Sequence, residues 1–86
     1  MKNPLRDDAL KQLGLRLREF RTMREDTQAV FSERLGVSER TLRRMEQGDP
    51  GVNIGVWVEA LDVIGRLEDL DRVLLRQRSL FEGEFR

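Results

Sequence analysis

Residues 28–45 read Gln28-Ala29-Val30-Phe31-Ser32-Glu33-Arg34-Leu35-Gly36-Val37-Ser38-Glu39-Arg40-Thr41-Leu42-Arg43-Arg44-Met45, and the spacing of residue types in this stretch decides the fold. Two short helices that cross at about 90–120° need a small residue where they approach, a residue that turns the chain sharply, and apolar side chains that lock the angle. Ser32 is the small residue. Gly36 supplies the turn, because without a Cβ it enters positive φ at no steric cost. Phe31, Leu35, Val37, Leu42 and Met45 fall on the inward faces of the two segments. Asp26 or Thr27 can cap the first of these helices, and Ser38 caps the second, each side-chain oxygen accepting from an otherwise unsatisfied backbone N–H. All these requirements are met together, which separates a helix-turn-helix from an ordinary helical hairpin.

Working outward, apolar residues at steps of three and four predict three more helices. Leu10, Leu13, Leu17 and Phe20 define a first helix from about residues 5–7 to Arg24, with Asp7 and Asp8 suited to its N-terminus. The second helix of the motif is expected to run from Glu39 to about Gln47 and to stop at Gly48, and Gly48-Asp49-Pro50-Gly51 reads as a loop. Asn53 can cap a fourth helix with Ile54, Trp57, Leu61 and Ile64 on one stripe. Gly65 interrupts it, and a fifth helix is expected from Leu67 to about Arg78. The chain thus reads as all-α with five helices: one helix-turn-helix domain over residues 1–79, its helix-turn-helix at about 28–47, and a short tail at 80–86.

Composition narrows the function. The 86 residues include no cysteine and no histidine, so disulfides, thiolate metal sites and the commonest general base are excluded together. With catalysis left to carboxylates, lysine and serine, and no phosphate-cradling glycine motif, an enzyme is the poorest reading, and neither a metal nor a cofactor is expected. The opening Met1-Lys2-Asn3-Pro4-Leu5-Arg6 lacks the apolar run of a signal peptide, and no stretch approaches the roughly 18 apolar residues of a membrane span. A cytoplasmic protein is the expectation. Net charge is zero, but it is divided: residues 1–48 carry 11 basic and 8 acidic residues (+3), and residues 49–86 carry 5 and 8 (−3). A basic half and an acidic half can serve different partners, one of them a phosphate backbone.

The motif also resembles the lambda-repressor and Cro-like (XRE family) helix-turn-helix domains. The resemblance is carried by Leu13-Gly14 through Leu17 and Phe20-Arg21, then Thr27-Gln28, Leu35-Gly36-Val37-Ser38 and Met45-Glu46-Gln47-Gly48, and it covers about residues 10–64. Two departures stand out. Members usually carry Gly-Leu before the position of Thr27, where this chain has Glu25-Asp26, so the first connection is expected to differ. Val30 stands where an exposed polar residue is common. The resemblance implies that the helix from Glu39 enters the major groove, with Glu39, Arg40, Thr41 and Arg44 toward base edges. Arg40 and Arg44, four apart, share a face, and either can fork onto a guanine. Gln28, Ser38, Arg43 and Gln47 are the implied phosphate contacts. Arg21 and Glu46 match an ion pair that fixes the helix angle.

Domains of this kind commonly bind DNA as two-fold dimers. The second half holds more apolar residues than one face can bury, and a chain this short buries only about 60–65% of its unfolded surface, so a homodimer is expected, through Val56, Ala60, Val63, Leu70, Val73 and Leu74. Trp57 reads as core, although an interface anchor is the alternative. The phrase from Gly48 through Asn53-Ile54-Gly55, with Trp57 and Leu61, is similar to HipB-like antitoxins. These are partners of HipA-like kinase toxins, and the acidic residues Glu59, Asp62, Glu68, Asp69 and Asp71 would be available for such a partner. Leu80, Phe81 and Phe85 in the tail can pair across a dimer, insert into a partner or stay disordered. Three readings therefore stand: an autoregulating antitoxin that represses its operon, a stand-alone phage-type repressor, and an interaction module that has lost DNA binding.

Overall fold

A computed structural model of the chain describes residues 4–74, and the side chains of Pro4 and Arg6 are left aside. The described residues form five helices: α1 (Pro4–Met23), α2 (Gln28–Leu35), α3 (Glu39–Glu46), α4 (Ile54–Val63) and a closing 3₁₀ helix (Leu67–Arg72). The tail with Leu80, Phe81 and Phe85, and residues 75–78 of the expected fifth helix, lie outside the described residues.

Local chemistry sets the boundaries. Thr27, Ser38 and Asn53, each with extended backbone, cap α2, α3 and α4 by accepting from Val30 N, Thr41 N and Gly55 N. All four α-helices end the same way. The first or second residue beyond the helix takes a left-handed conformation, and paired 5→2 and 6→1 backbone bonds close the last turn. After α2, Gly36 N bonds to Glu33 O at 3.2 Å and Val37 N to Ser32 O at 3.0 Å. After α1 the same pattern runs from Glu25 N to Thr22 O at 2.9 Å and from Asp26 N to Arg21 O at 3.3 Å. Three of the left-handed residues are glycine; the fourth is Glu25, at φ 60°. The first connection therefore keeps the turn geometry that a glycine would take without strain.

Leu17, Phe31, Leu35, Leu42, Met45, Trp57 and Ala60 form the core, with Leu13, Phe20, Val37, Val52, Val56 and Ile64 packed against it. Phe20 and Phe31 pack at a ring-centroid distance of 6.3 Å. Helix α1 lies across the C-terminal end of α3 at backbone contact: a Cβ on Gly14 would come within 2.6 Å of the carbonyl oxygens of Met45 and Glu46. Any side chain at Gly14 would push the helices apart.

Two expectations need correction. The buried face of α4 keeps Trp57, with Leu61 and Ile64 half-buried, but not Ile54, which is 71% exposed; Ala60 is buried in addition and Val56 packs against the core. Helical spacing alone does not fix the centre of the buried face, and packing against α2 centres it on Trp57 and Ala60. The segment after Gly65 is a 3₁₀ helix ending at Arg72 rather than an α-helix reaching Arg78. Its first turn has no side-chain cap bond and it buries no residue, so neither a terminus nor a packed face sustains a longer helix there.

Candidate nucleic-acid interface

The helix-turn-helix angle is set by a wedge of side chains with no solvent exposure: Phe31 from α2 and Leu42 and Met45 from α3. Burial of one side of so short a helix leaves Glu39, Arg40 and Arg43 exposed on the other. At its N-terminus the Ser38 hydroxyl oxygen accepts from Thr41 N at 3.0 Å, and the hydroxyl donates to Thr41 Oγ1 at 2.9 Å. The Thr41 hydroxyl hydrogen remains free to donate outward. Arg40 is exposed and makes no ion pair among the described residues.

Below this surface Arg21 and Glu46 form a buried, two-pronged ion pair. Arg21 Nε donates to Glu46 Oε2 at 2.7 Å and an Arg21 Nη to Glu46 Oε1 at 3.1 Å. The other Arg21 Nη donates to the carbonyl of Asp26 at 3.0 Å. The hydrogen bond that Arg21 donates to Glu46 raises its pKa above the ordinary value despite burial, so the guanidinium stays charged. Gln28 Nε2 also donates to Glu46 Oε1, at 3.1 Å. One carboxylate on α3 thus ties α1, α3 and the first residue of α2 together.

Around that carboxylate an open recess of about 580 Å³ is lined by Arg18 and Arg21 of α1, by Thr27, Gln28 and Ala29 at the start of α2, and by Glu39, Arg43, Glu46 and Gln47. Three of the implied phosphate contacts, Gln28, Arg43 and Gln47, come together here. Ser38 is absent from the lining and is occupied in capping α3. Arg43 lies 3.3 Å from Glu39, one turn back on the same helix, both being nearly half exposed. A pair this open exchanges readily with solvent or with a phosphate.

Arg44 does not share the free outward position of Arg40. Its Nε donates to Asp49 Oδ2 at 2.8 Å, and Asp49 Oδ1 accepts from Gly51 N at 2.7 Å, so the side chain latches the α3–α4 loop. The Arg44 hydrogen bond, with help from the Gly51 N–H, holds the Asp49 carboxyl below the ordinary aspartate range. Asp26, one of the two cap candidates for α2, leaves the cap to Thr27 and serves instead as a second anchor: its carboxylate lies 3.2 Å from Arg34 and 3.5 Å from Arg24. Neither Asp26 nor Asp49 announces itself by spacing, since the partners of each are near in sequence but meet it only through the way the connections after α1 and α3 turn.

The expected dimer residues divide. Ala60 is buried in the protomer's own core at 1% exposure and is not available to a partner, and Val56 packs against the same core. Val63, Val73 and Leu74 are exposed, and Leu70 is half-buried.

A capped, tightly turned helix pair that presents an arginine-bearing helix to solvent defines a small all-helical domain of the DNA-binding helix-turn-helix class. The chain belongs to the helix-turn-helix domain family, whose model matches residues 12–76, from the middle of α1 past the 3₁₀ helix. No match was found among curated proteins or among solved structures. Among the described residues no helix is long and apolar enough to cross a membrane.

Proposed function

We propose that this protein is a sequence-specific transcriptional repressor that binds operator DNA as a homodimer, with α3 in the major groove. The observation that carries the reading is Arg40, exposed and without an ion pair among the described residues, on the first turn of a helix whose opposite side is locked into the core. Arg40 is the primary base reader, forking onto a guanine. Glu39 and Thr41 flank it, able to accept from cytosine N4 and to donate to a base edge. Arg44 reaches a base only by exchanging Asp49 for it. Gln28, Arg43 and Gln47 hold the backbone, whereas Ser38 reaches a phosphate only by giving up its hydrogen bond to Thr41. The dimer forms through Val63, Leu70, Val73 and Leu74, apolar side chains that the protomer leaves open to solvent or half-covered.

The likeness of the Gly48–Leu61 phrase to HipB-like antitoxins supports a finer form of the proposal, in which the protein is cytoplasmic, represses its own operon and neutralises a kinase toxin through its acidic half. A kinase gene beside this one, whose product co-purifies with it, supports that form; a lone gene with the same operator binding makes it a stand-alone repressor.

The test is binding to the DNA upstream of its own gene, by fluorescence anisotropy at two salt concentrations, for wild type and Arg40→Ala. Wild type is expected to bind selectively and with strong salt dependence. Arg40→Ala is expected to lose about 1–3 kcal/mol of discrimination at one base position. A folded wild type with no selective binding refutes the repressor and leaves a protein-interaction module.

A further inference from the structure

The recess beside α3 holds three guanidinium groups and two carboxylates, and their pairing leaves one charge over. Arg21 is consumed by Glu46, and Arg43 is shared with Glu39. Arg18 lines the same recess, is exposed, and makes no ion pair or hydrogen bond among the described residues. The excess cation therefore sits on α1, outside the helix-turn-helix itself.

Its backbone is held firmly. Four residues before it, Gly14 rests on the Met45 and Glu46 carbonyls; three residues after it, Arg21 is bonded to Glu46. Positions 14, 18 and 21 share one face of a helix, so α1 carries Arg18 on the side turned to α3. Across the recess lie the side-chain amides of Gln28 and Gln47 and the Arg43 fork. A guanidinium that faces amide donors across an open, polar recess with one uncompensated positive charge suits a single diffuse anion with several acceptor oxygens.

We propose that Arg18 binds a phosphodiester of the DNA backbone beside the groove that α3 enters, closing the recess from the α1 side. This rests on the DNA-binding reading above and adds a contact to it. Because the contact is to phosphate, it raises affinity for any duplex and carries no base preference.

The test is affinity as a function of salt, on the operator and on a scrambled duplex, for wild type, Arg18→Ala and Arg16→Ala. Arg16 is an exposed arginine of α1 that does not line the recess, and it serves as the charge control. The expected result is that Arg18→Ala weakens both duplexes alike and lowers the slope of log K against log salt by about 0.9, the release of one phosphate's counterion, whereas Arg16→Ala leaves the slope in place. Phosphate ethylation adds a positional readout: one modified phosphate that weakens wild type should have no effect on Arg18→Ala. An unchanged slope in a folded Arg18→Ala, or an equal loss in Arg16→Ala, overturns the proposal. Equal wild-type affinity for both duplexes refutes the operator reading but leaves the slope comparison valid. No binding to either duplex overturns both.

Discussion

Replacing Glu46 by alanine removes the acceptor of three hydrogen bonds, at 2.7, 3.1 and 3.1 Å, and strands the Arg21 guanidinium between α1 and α3. The two side chains of the pair are 11% and 5% exposed, so solvent replaces little of what is lost. Removing one partner of a buried pair costs about 3–5 kcal/mol, and the slight exposure of Arg21 places Glu46→Ala at the lower end, about 3 kcal/mol. For a domain of this size that corresponds to a fall in Tm of roughly 12–24 °C. The assay is urea unfolding followed by fluorescence of Trp57, the chain's single tryptophan and a core residue. The double variant Arg21→Met/Glu46→Leu separates the charge from the shape. With no stranded charge it should recover most of the loss and stay about 1–2 kcal/mol below wild type, because the Asp26 carbonyl and the Gln28 amide lose their partners. A Glu46→Ala cost under about 1 kcal/mol, the range of an exposed ion pair, would refute the reasoning, as would a double variant no more stable than the single one.

Two further outcomes follow from the turns and the loop. Glu25 and Gly36 occupy equivalent left-handed positions at φ 60° and 73°, so Glu25→Gly should stabilise by about 1 kcal/mol while Gly36→Ala, whose Cβ would meet nothing within 4 Å, should cost about 1–2 kcal/mol from backbone strain alone. Matched urea unfolding curves check both, and a loss of stability in Glu25→Gly counts against the strain. Because the Arg44 latch lowers the Asp49 pKa in the folded protein, it stabilises fully above the ordinary aspartate value of about 3.8, and that contribution disappears as pH falls through the depressed folded value. Carboxyl NMR should show Asp49 titrating below its ordinary range and returning toward it in Arg44→Gln; an Asp49 midpoint at or above the ordinary value would show that the latch does not form in solution.

The helix-turn-helix was legible because its requirements are local. Thr27, Ser38 and Asn53 cap by reaching two or three residues along their own chain, and Gly36 turns by its own φ. The inward set Phe31, Leu35, Leu42 and Met45 follows from helical periodicity once the turn is placed. These are properties of short windows of residues, so a linear reading reaches them.

Other features depend on what each element meets in space. Periodicity placed Ile54 with Trp57 on the buried stripe of α4 and left Ala60 to an interface, but contact with α2 buried Ala60 and exposed Ile54. The second apolar run shortened to a 3₁₀ helix for want of a cap and a surface to pack on. Arg40 and Arg44 are equivalent by spacing, yet Asp49, brought round by the loop, engages only Arg44. Arg18 is one of several exposed arginines in the sequence until Gly14 and the Arg21–Glu46 bond bring α1 against α3 and turn it into the recess. The sequence by itself determined the helices, their caps and the turn, because these rest on contacts a few residues apart. Only the tertiary structure decided which apolar face is core and which arginine of α1 turns into the recess, because both depend on residues distant in the chain that meet when the helices cross.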